Sequence, residues 1–307
     1  MRLGINGTGL VQRASIDAIV EDAAKAAEDG FSSYWLAEHP TGGFDALTVL
    51  SVVGQRVADI ELGTAIIPTF PRHPLALAGQ ALTVRTAIGD RLTLGIGLSH
   101  EVMMAQLGIG FEKPILHLRE YLSILMPLLT DGKVSFDGDV LSCHAELFQA
   151  PKVPCPVVVA ALGPQALRVA GSRTQGTTLA WVGPRTVREH IRPKLTEAAE
   201  AAGRPAPRII ATLPVCVTDE VDAIRSLVTK LLAHYGTLPS YRAMFDREGV
   251  EGPGDLALIG DEAFVRAKID ELAAAGVSDF AATEFTPSSA DRTRTRELLK
   301  SVLERYP

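Results

Sequence analysis

The sequence predicts an α/β fold, a (β/α)8 TIM barrel with insertions after strand 4 and after strand 7. Short β-branched runs alternate with Ala-rich amphipathic stretches, and eight such units can be counted along the chain. This alternation favours a parallel sheet with helical crossovers, and eight units favour a closed barrel over an open sheet. The chain has 307 residues, 47% of them hydrophobic, which is enough for one large core. No Ser/Gly-rich linker divides it, so we expect residues 1–307 to form a single domain.

The predicted strands are short apolar runs bounded by glycine, proline or charged residues. The third run, ELGTAII, is typical, because apolar residues dominate it and Pro68 ends it. In chain order the eight predicted strands span residues 3–5, 33–37, 61–67, 91–96, 156–161, 177–181, 208–217 and 277–284.

The predicted helices carry recognisable start and stop signals. Ser15 is an N-cap candidate and Gly30 a C-terminal stop for the first helix. Pro74 suits the first turn of the third helix, and Gly276 ends the helix before strand 8. In chain order the predicted helices span residues 15–28, 46–57, 74–88, 115–129, 164–172, 184–202, 220–234, 262–275 and 290–305.

Two stretches interrupt the regular alternation. After Gly97 a loop runs to Pro114, and beyond the next helix residues 133–147 alternate around Asp137-Gly138, which indicates a β-hairpin. Residues 236–258 are rich in glycine and proline and are expected to include one short helix. We expect residues 109–155 and 236–258 to shape a substrate pocket.

Charge and cysteine usage exclude several classes of protein. The net charge is −6 and no Lys/Arg stripe is present, so nucleic acid is not an expected partner. The three cysteines, Cys143, Cys155 and Cys216, form no CxxC pair and are predicted to be free thiols in a reducing compartment.

Short motifs exclude further classes. The histidines show no HExxH motif and no close ligand spacing, so no metal site is predicted, and the absence of GxSxG argues against a catalytic serine. The N-terminal MRLGINGTG turns glycine-rich too early for a signal peptide. No apolar run approaches the roughly 20 residues of a membrane-spanning helix. We expect a cytoplasmic protein without a membrane partner.

The strand ends carry the candidate site, because the active sites of such barrels lie at the C-terminal ends of the strands. His39 follows strand 2 and His100 follows strand 4. Small residues follow strands 4 and 5, and their exposed backbone could lie against a ring or donate N–H groups to a phosphate. These stretches favour a planar, phosphorylated cofactor over a metal. Their candidate residues are Gly97, Leu98, Ser99, Leu162 and Gly163.

Several of these residues have a purely structural alternative. Glu38 and His39 could cap strand 2, and Gly97 could only allow two chain segments to pass closely. Trp181 could pack in the core or form a cofactor wall, and Glu284 could pair with an arginine inside the barrel.

Four segments resemble the luciferase-like oxidoreductase superfamily, and within it the branch that uses coenzyme F420, a deazaflavin. They are SYWLAEH, ELGTAIIPTFPRHPLALAGQALT, DRLTLGIGLSHE and VVVAALGPQALRVAG. The resemblance runs over nearly the whole chain, and LGIG after the Arg-Leu strand is its strongest marker. It implies an eight-stranded barrel with insertions and a homodimer.

The resemblance also implies a set of site residues. A non-proline cis peptide at the end of strand 3, between Ala65 and Ile66, would back the central ring of the cofactor, and Thr64 precedes it. His39 would lie near the ring, with His39 and His100 as the candidate catalytic residues. The strand-4 and strand-5 loops would approach the side chain and phosphate of the cofactor; they are Gly97, Leu98, Ser99 and His100, and Ala161, Leu162 and Gly163.

One departure bears on the substrate. The sugar-phosphate dehydrogenases of this branch carry an aromatic residue shortly after the strand-2 histidine and an acid in the strand-4 loop. This chain has Thr41, Gly42 and Gly43 at the first place and His100 at the second. A sugar phosphate is therefore not the expected substrate.

The leading hypothesis is hydride transfer between C5 of coenzyme F420 and an organic small molecule, with His39 or His100 exchanging a proton. The main alternative is an FMN-dependent luciferase-like monooxygenase that uses oxygen and a partner reductase. A more distant alternative is an NADP-binding open-sheet reductase, because a GxxGxG string spans residues 4–9 and Glu38 could bind a ribose. A barrel that has lost its cofactor and only binds ligands is the non-enzymatic alternative.

Overall fold

The computed structural model describes residues 1–11, 14–40 and 42–306; Thr41, one of the departures noted above, lies outside them. Eight parallel strands form a closed ring, because the last of them pairs back with the first. The strands are β1 Arg2–Asn6, β2 Ser33–Leu36, β3 Glu61–Thr64, β4 Ile67–Pro68, β5 Leu92–Gly97, β6 Lys133–Asp137, β7 Ser142–Glu146, β8 Val157–Val159, β9 Gly176–Ala180, β10 Arg208–Thr212, β11 Pro214–Val217, β12 Leu258–Gly260 and β13 Asp279–Glu284.

The ring runs β1-β2-β3-β5-β8-β9-β10-β13, which confirms the predicted barrel. Helices connect its strands. They are α1 Ile16–Glu28, α2 Ala46–Arg56, α3 Pro74–Ile88, α4 Glu101–Gln106, α5 Pro114–Thr130, α6 Pro164–Arg173, α7 Pro184–Thr186, α8 Arg192–Ala201, α9 Val221–Leu231, α10 Pro239–Glu248, α11 Pro253–Leu256, α12 Glu262–Ala275 and α13 Ser289–Leu303. Within the described ranges, no helix has both the length and the apolar character needed to span a bilayer.

The helix ends follow the local sequence signals. Ser15 caps α1 by accepting a hydrogen bond from the Ala18 N–H at 3.2 Å. Pro74 occupies the first turn of α3, where its missing N–H costs no helical bond. Gly276 ends α12 with a φ of +104°, a conformation that glycine adopts without a steric penalty.

The barrel interior is small and is sealed at its N-terminal end. Trp35, which is fully buried, fills the middle together with Val158, Ile210 and Ala281. A Cβ on Gly63 would come within 2.1 Å of the Trp35 ring, so only glycine leaves room for that ring.

Below this layer two arginines and two carboxylates form a network of ion pairs. The Arg208 guanidinium contacts Glu61 and Asp279 at 2.8 Å each, and Arg2 donates from Nε to Asp279 at 2.7 Å. Asp279 is buried; burial acts to raise its pKa, but the hydrogen bonds and charges of Arg208 prevail and lower it. This closed end leaves the C-terminal ends of the strands as the open mouth of the barrel.

Both insertions lie where the sequence placed the interruptions, but their content differs. The hairpin is confirmed, since β6 pairs antiparallel with β7. The loop expected after Gly97 contains α4, and the second stretch contains both α10 and α11 rather than one short helix. The prediction of one continuous strand over residues 208–217 was wrong, because the strand is interrupted at Leu213. The next residue, Pro214, has no N–H to donate to a neighbouring strand. The second half of the predicted strand, β11, pairs with the unpredicted β12.

Candidate active site

A bulge separates β3 from β4, so the single strand predicted over residues 61–67 does not form. Leu62 pairs with Leu92 but Ile67 pairs with Ile96, so five steps along the first strand match four along the second. The Thr64 hydroxyl spans the gap: it donates to the Gly95 carbonyl and accepts from the Gly95 N–H, both at 2.8 Å. Thr64 is fully buried, so its hydroxyl holds the bulge and does not face the mouth.

The bulge is tied to the end of β2. The peptide bond between Ala65 and Ile66 is cis, as the resemblance implies. The Ala65 N–H donates to the Leu36 carbonyl at 2.8 Å, and the Glu38 N–H donates to the Ile66 carbonyl at 3.0 Å. Both bulge residues are half-buried, so they reach the mouth. The hydrogen bond at Glu38 therefore fixes the backbone position of the next residue, His39.

His39 and Glu38 have different roles. The Glu38 carboxylate pairs with Arg72 at 3.1 Å, and Arg72 also contacts Asp45, the N-cap of α2, at 3.0 Å. Burial raises the pKa of Glu38, although Arg72 opposes the rise. His39 is half-buried; burial lowers its pKa, and the charge of His234 lowers it further. Glu38 thus belongs to the framework, whereas His39 presents a neutral imidazole near pH 7.

The strand-4 loop passes close to the bulge. A Cβ on Gly97 would fill the space between Ala160 and Ile66, 3.1 Å from a carbon of each. Ser99 follows with a φ of +62°, a left-handed backbone that is uncommon for a residue other than glycine. His100 then starts α4; burial lowers its pKa, and His234 adds to the effect. This loop therefore brings a second neutral imidazole to the mouth.

The strand-5 loop is held from outside the barrel. His190, which is buried in the π-helical turn Val187–Ile191, contacts the Leu162 carbonyl through Nε2 at 2.8 Å. A carbonyl only accepts, so Nε2 carries the proton. Gly163 caps α6 without any side-chain bond, and a Cβ there would meet nothing within 4 Å. The first turn of α6 therefore offers N–H groups beside open space.

Four of the residues at the mouth come from outside the set predicted as a site. Trp181 directly follows β9 with a φ of +60°, and its ring lies 5.1 Å from that of Tyr235. Tyr235 also contacts His234 at 4.1 Å and Tyr241 at 5.4 Å, measured between ring centroids. The Tyr241 ring is 5.3 Å from His100. The segment from His234 to Tyr241 thus brings aromatic residues to the mouth. Residues 236–258 are expected to shape a substrate pocket, but no pattern in the sequence singles out these rings.

The predicted site residues divide into two groups. His39, Ala65, Ile66, Leu98, Ser99, His100, Leu162 and Gly163 are at least partly accessible, whereas Thr64, Gly97 and Ala161 are buried. Glu284 pairs with Arg296 of α13, so its structural alternative is confirmed, although the arginine lies on the closing helix. The open-sheet hypothesis is wrong, because β13 pairs with β1. Across the described part of the chain, no three metal-ligating side chains converge.

The matching family model and a curated relative are oxidoreductases. The family model described as luciferase-like monooxygenase matches residues 3–279. An F420-dependent glucose-6-phosphate dehydrogenase of Nakamurella multipartita is 28% identical over 256 residues, which cover 78% of this chain and 74% of the relative.

Two solved structures share the fold. An F420-dependent secondary alcohol dehydrogenase in complex with an F420-acetone adduct has a TM-score of 0.82 at 18% identity, covering 100% of this chain and 99% of the other. The oxygenating constituent of 3,6-diketocamphane monooxygenase from Pseudomonas putida, in complex with FMN, has a TM-score of 0.76 at 17% identity, covering 98% and 96%.

Proposed function

The chain belongs to the luciferase-like monooxygenase family, and we propose that it is an oxidoreductase that transfers a hydride between coenzyme F420 and a small organic substrate. The observation that carries the proposal is the backbone arrangement at the mouth, where the bulge at Ala65 and Ile66, the strand-4 loop and the uncapped first turn of α6 come together. We infer that these segments form a groove, with the bulge as its floor and the first turn of α6 at its far end. A flat ring with a phosphate-bearing side chain has the shape and charge for such a groove.

The residues at the groove suit this cofactor. Backbone N–H groups at Leu98, Ser99 and the start of α6 would receive its phosphate and the electron-rich edge of its ring. Ile66 would contact the ring from below. When bound, the deazaflavin supplies the hydride chemistry, and the protein supplies position and electrostatics.

His39 and His100 would handle the proton that accompanies hydride transfer. Burial lowers the pKa of both, so each is a neutral imidazole near pH 7. A neutral imidazole accepts the hydroxyl proton when an alcohol is oxidised, and the imidazolium returns it in the reverse reaction. His39 is our first candidate, because the backbone of Glu38 beside it is bonded to the bulge that would back the ring.

An FMN-dependent monooxygenase is the second candidate. The FMN-bound fold relative, at a TM-score of 0.76, favours it, since both rings would use the same groove. Such an enzyme would consume oxygen and depend on a partner reductase.

We further propose that the chain forms one domain and that two copies form a homodimer. A single cooperative unfolding transition would support one domain, and a molar mass of two chains in light scattering would support the homodimer.

The deciding experiment is a titration of the purified chain with F420, FMN and NADP, followed by equilibrium dialysis. We expect saturable binding of F420, weaker binding of FMN and none of NADP. Tight binding of FMN without affinity for F420, together with oxygen consumption, would replace the proposal with the monooxygenase. A chain that binds neither ring would be a non-enzymatic barrel.

A further inference from the structure

A continuous aromatic surface covers one side of the mouth; we call its four residues, Trp181, Tyr235, Tyr241 and His100, the aromatic wall. Successive ring centroids are 5.1, 5.4 and 5.3 Å apart, which is the range of direct aromatic contact. The four rings come from three separate parts of the chain: the residue after β9, the segment from Tyr235 to Tyr241, and the residue that starts α4. Their convergence is therefore a product of the tertiary fold and not of a local helix or hairpin.

The aromatic wall carries no charge. Burial raises the pKa of Tyr235 and Tyr241, so both phenols stay protonated at neutral pH. Among residues 1–11, 14–40 and 42–306, no lysine or arginine stacks on a ring of the wall, and the ionisable side chain that contacts it from outside the four is His234, 4.1 Å from Tyr235 between ring centroids. By contrast, the ion-pair network of Arg2, Glu61, Arg208 and Asp279 lies at the closed end of the barrel.

Backbone geometry also marks this side of the mouth. Four non-glycine residues of the described chain have positive φ, and two of them, Ser99 and Trp181, lie at strand ends beside the wall. Such conformations cluster where function requires a side chain in a particular place. The left-handed backbone of Trp181, directly after β9, places its ring in contact with Tyr235.

We propose that the substrate is a planar, uncharged carbonyl compound that stacks on the aromatic wall, and that a phosphorylated sugar is not a substrate. A flat apolar face gains contact area and offset stacking from Tyr235, which is half-buried and packs on the buried Trp181, whereas a phosphate dianion would meet no lysine or arginine stacked on these rings. The inference rests on the proposed function. In the reduction, reduced F420 would supply a hydride to the carbonyl carbon, the carbonyl π pair would move to oxygen, and that oxygen would take a proton from water or from the imidazolium form of His39, which becomes the neutral imidazole. The product is the alcohol together with oxidised F420.

The test is calorimetric titration of the chain loaded with oxidised F420, using 1-indanone as the planar probe and glucose 6-phosphate as the charged one. Oxidised F420 has no hydride to give to a ketone, so the heat reports binding alone. We expect 1-indanone to bind and glucose 6-phosphate not to bind. Tyr235→Leu should weaken 1-indanone binding about fivefold, and Tyr235→Phe should restore it, because the stacking face and not the hydroxyl carries the contact.

The outcomes separate this inference from the proposed function. Loading with F420 is measured first, and its failure contradicts the proposed function. If F420 binds equally to the wild type and to Tyr235→Leu, a difference in their 1-indanone affinity reports the contribution of the aromatic wall alone. Binding of glucose 6-phosphate, absence of 1-indanone binding, or equal 1-indanone affinity in Tyr235→Leu would each overturn the assignment of the substrate class.

Discussion

Acidification should destabilise this protein through one buried histidine, His117. It lies on α5, is 7% exposed, stacks on Phe70 with ring centroids 3.9 Å apart, and contacts the Thr69 hydroxyl through Nε2 at 3.2 Å. Burial lowers its pKa from 6.5 to about 4. The neutral ring is thus the form that the native packing next to β4 requires.

The sign and size follow from proton linkage. Above pH 6.5 the histidine is neutral in both the folded and the unfolded chain and costs nothing. As the pH falls through that value, the unfolded chain takes up a proton that the folded chain refuses, so the free energy of unfolding decreases. The shift of about 2.5 pKa units corresponds to about 3 kcal/mol in total, and about 2 kcal/mol of it is lost between about pH 7.5 and about pH 5.

Urea unfolding of the wild type and of His117→Phe at both pH values measures this effect. Phenylalanine keeps the stacking on Phe70 and cannot titrate, so its pH dependence should be smaller by about 2 kcal/mol. If His117→Phe and the wild type lose the same free energy on acidification, the argument from burial is wrong.

Three further substitutions test the site and its support. Gly97→Ala would place a methyl group 3.1 Å from Ile66 of the bulge and should weaken F420 binding about tenfold by displacing that side chain. Gly79→Ala, where a Cβ meets nothing within 4 Å, is the control and should leave binding unchanged and stabilise α3 by about 0.5–1 kcal/mol. Equal F420 affinities of Gly97→Ala and the wild type would contradict the role of the bulge. His190→Phe removes the donor to the Leu162 carbonyl, so it should lower the free energy of unfolding by about 1–3 kcal/mol and weaken F420 binding. His190→Gln keeps an N–H donor and should recover part of the stability and part of the affinity. Denaturant unfolding measures the first and equilibrium dialysis the second. Asp279→Asn breaks the ion-pair network at the closed end and should lower the free energy of unfolding by about 3 kcal/mol in the same assay. F420 affinity should not change, because the cofactor would bind at the opposite end of the barrel. A loss of affinity in this variant would contradict that placement.

The predictable part of the fold is the part set by local chemistry. The cap at Ser15, the first-turn Pro74 and the stop at Gly276 each depend on neighbouring residues only, and all three are confirmed. The eight-fold alternation fixed the ring, because parallel strands joined by helices leave few other arrangements. His39 and His100 reach the mouth because strand ends converge there in any closed barrel.

The remainder depends on contacts between distant segments. The bulge that separates β3 from β4 depends on two hydrogen bonds between Thr64 and Gly95, which lie thirty-one residues apart in the chain. No local sequence pattern predicts a contact between residues so far apart. The Thr64 hydroxyl, a candidate cofactor contact by its position before the bulge, is buried and bonded to Gly95. Tyr235 and Tyr241 gain their place only when their segment packs against Trp181 and His100, which follow β9 and β5, and no period or motif in the sequence indicates these contacts.

The most direct test of the central claim is diffraction from crystals of the chain grown with F420. We predict electron density for the deazaflavin ring over the bulge at Ala65 and Ile66, with His39 at its edge and the phosphate at the first turn of α6. A ring bound anywhere outside the mouth, or a mouth that stays filled by its own side chains while F420 binds elsewhere, would contradict the account.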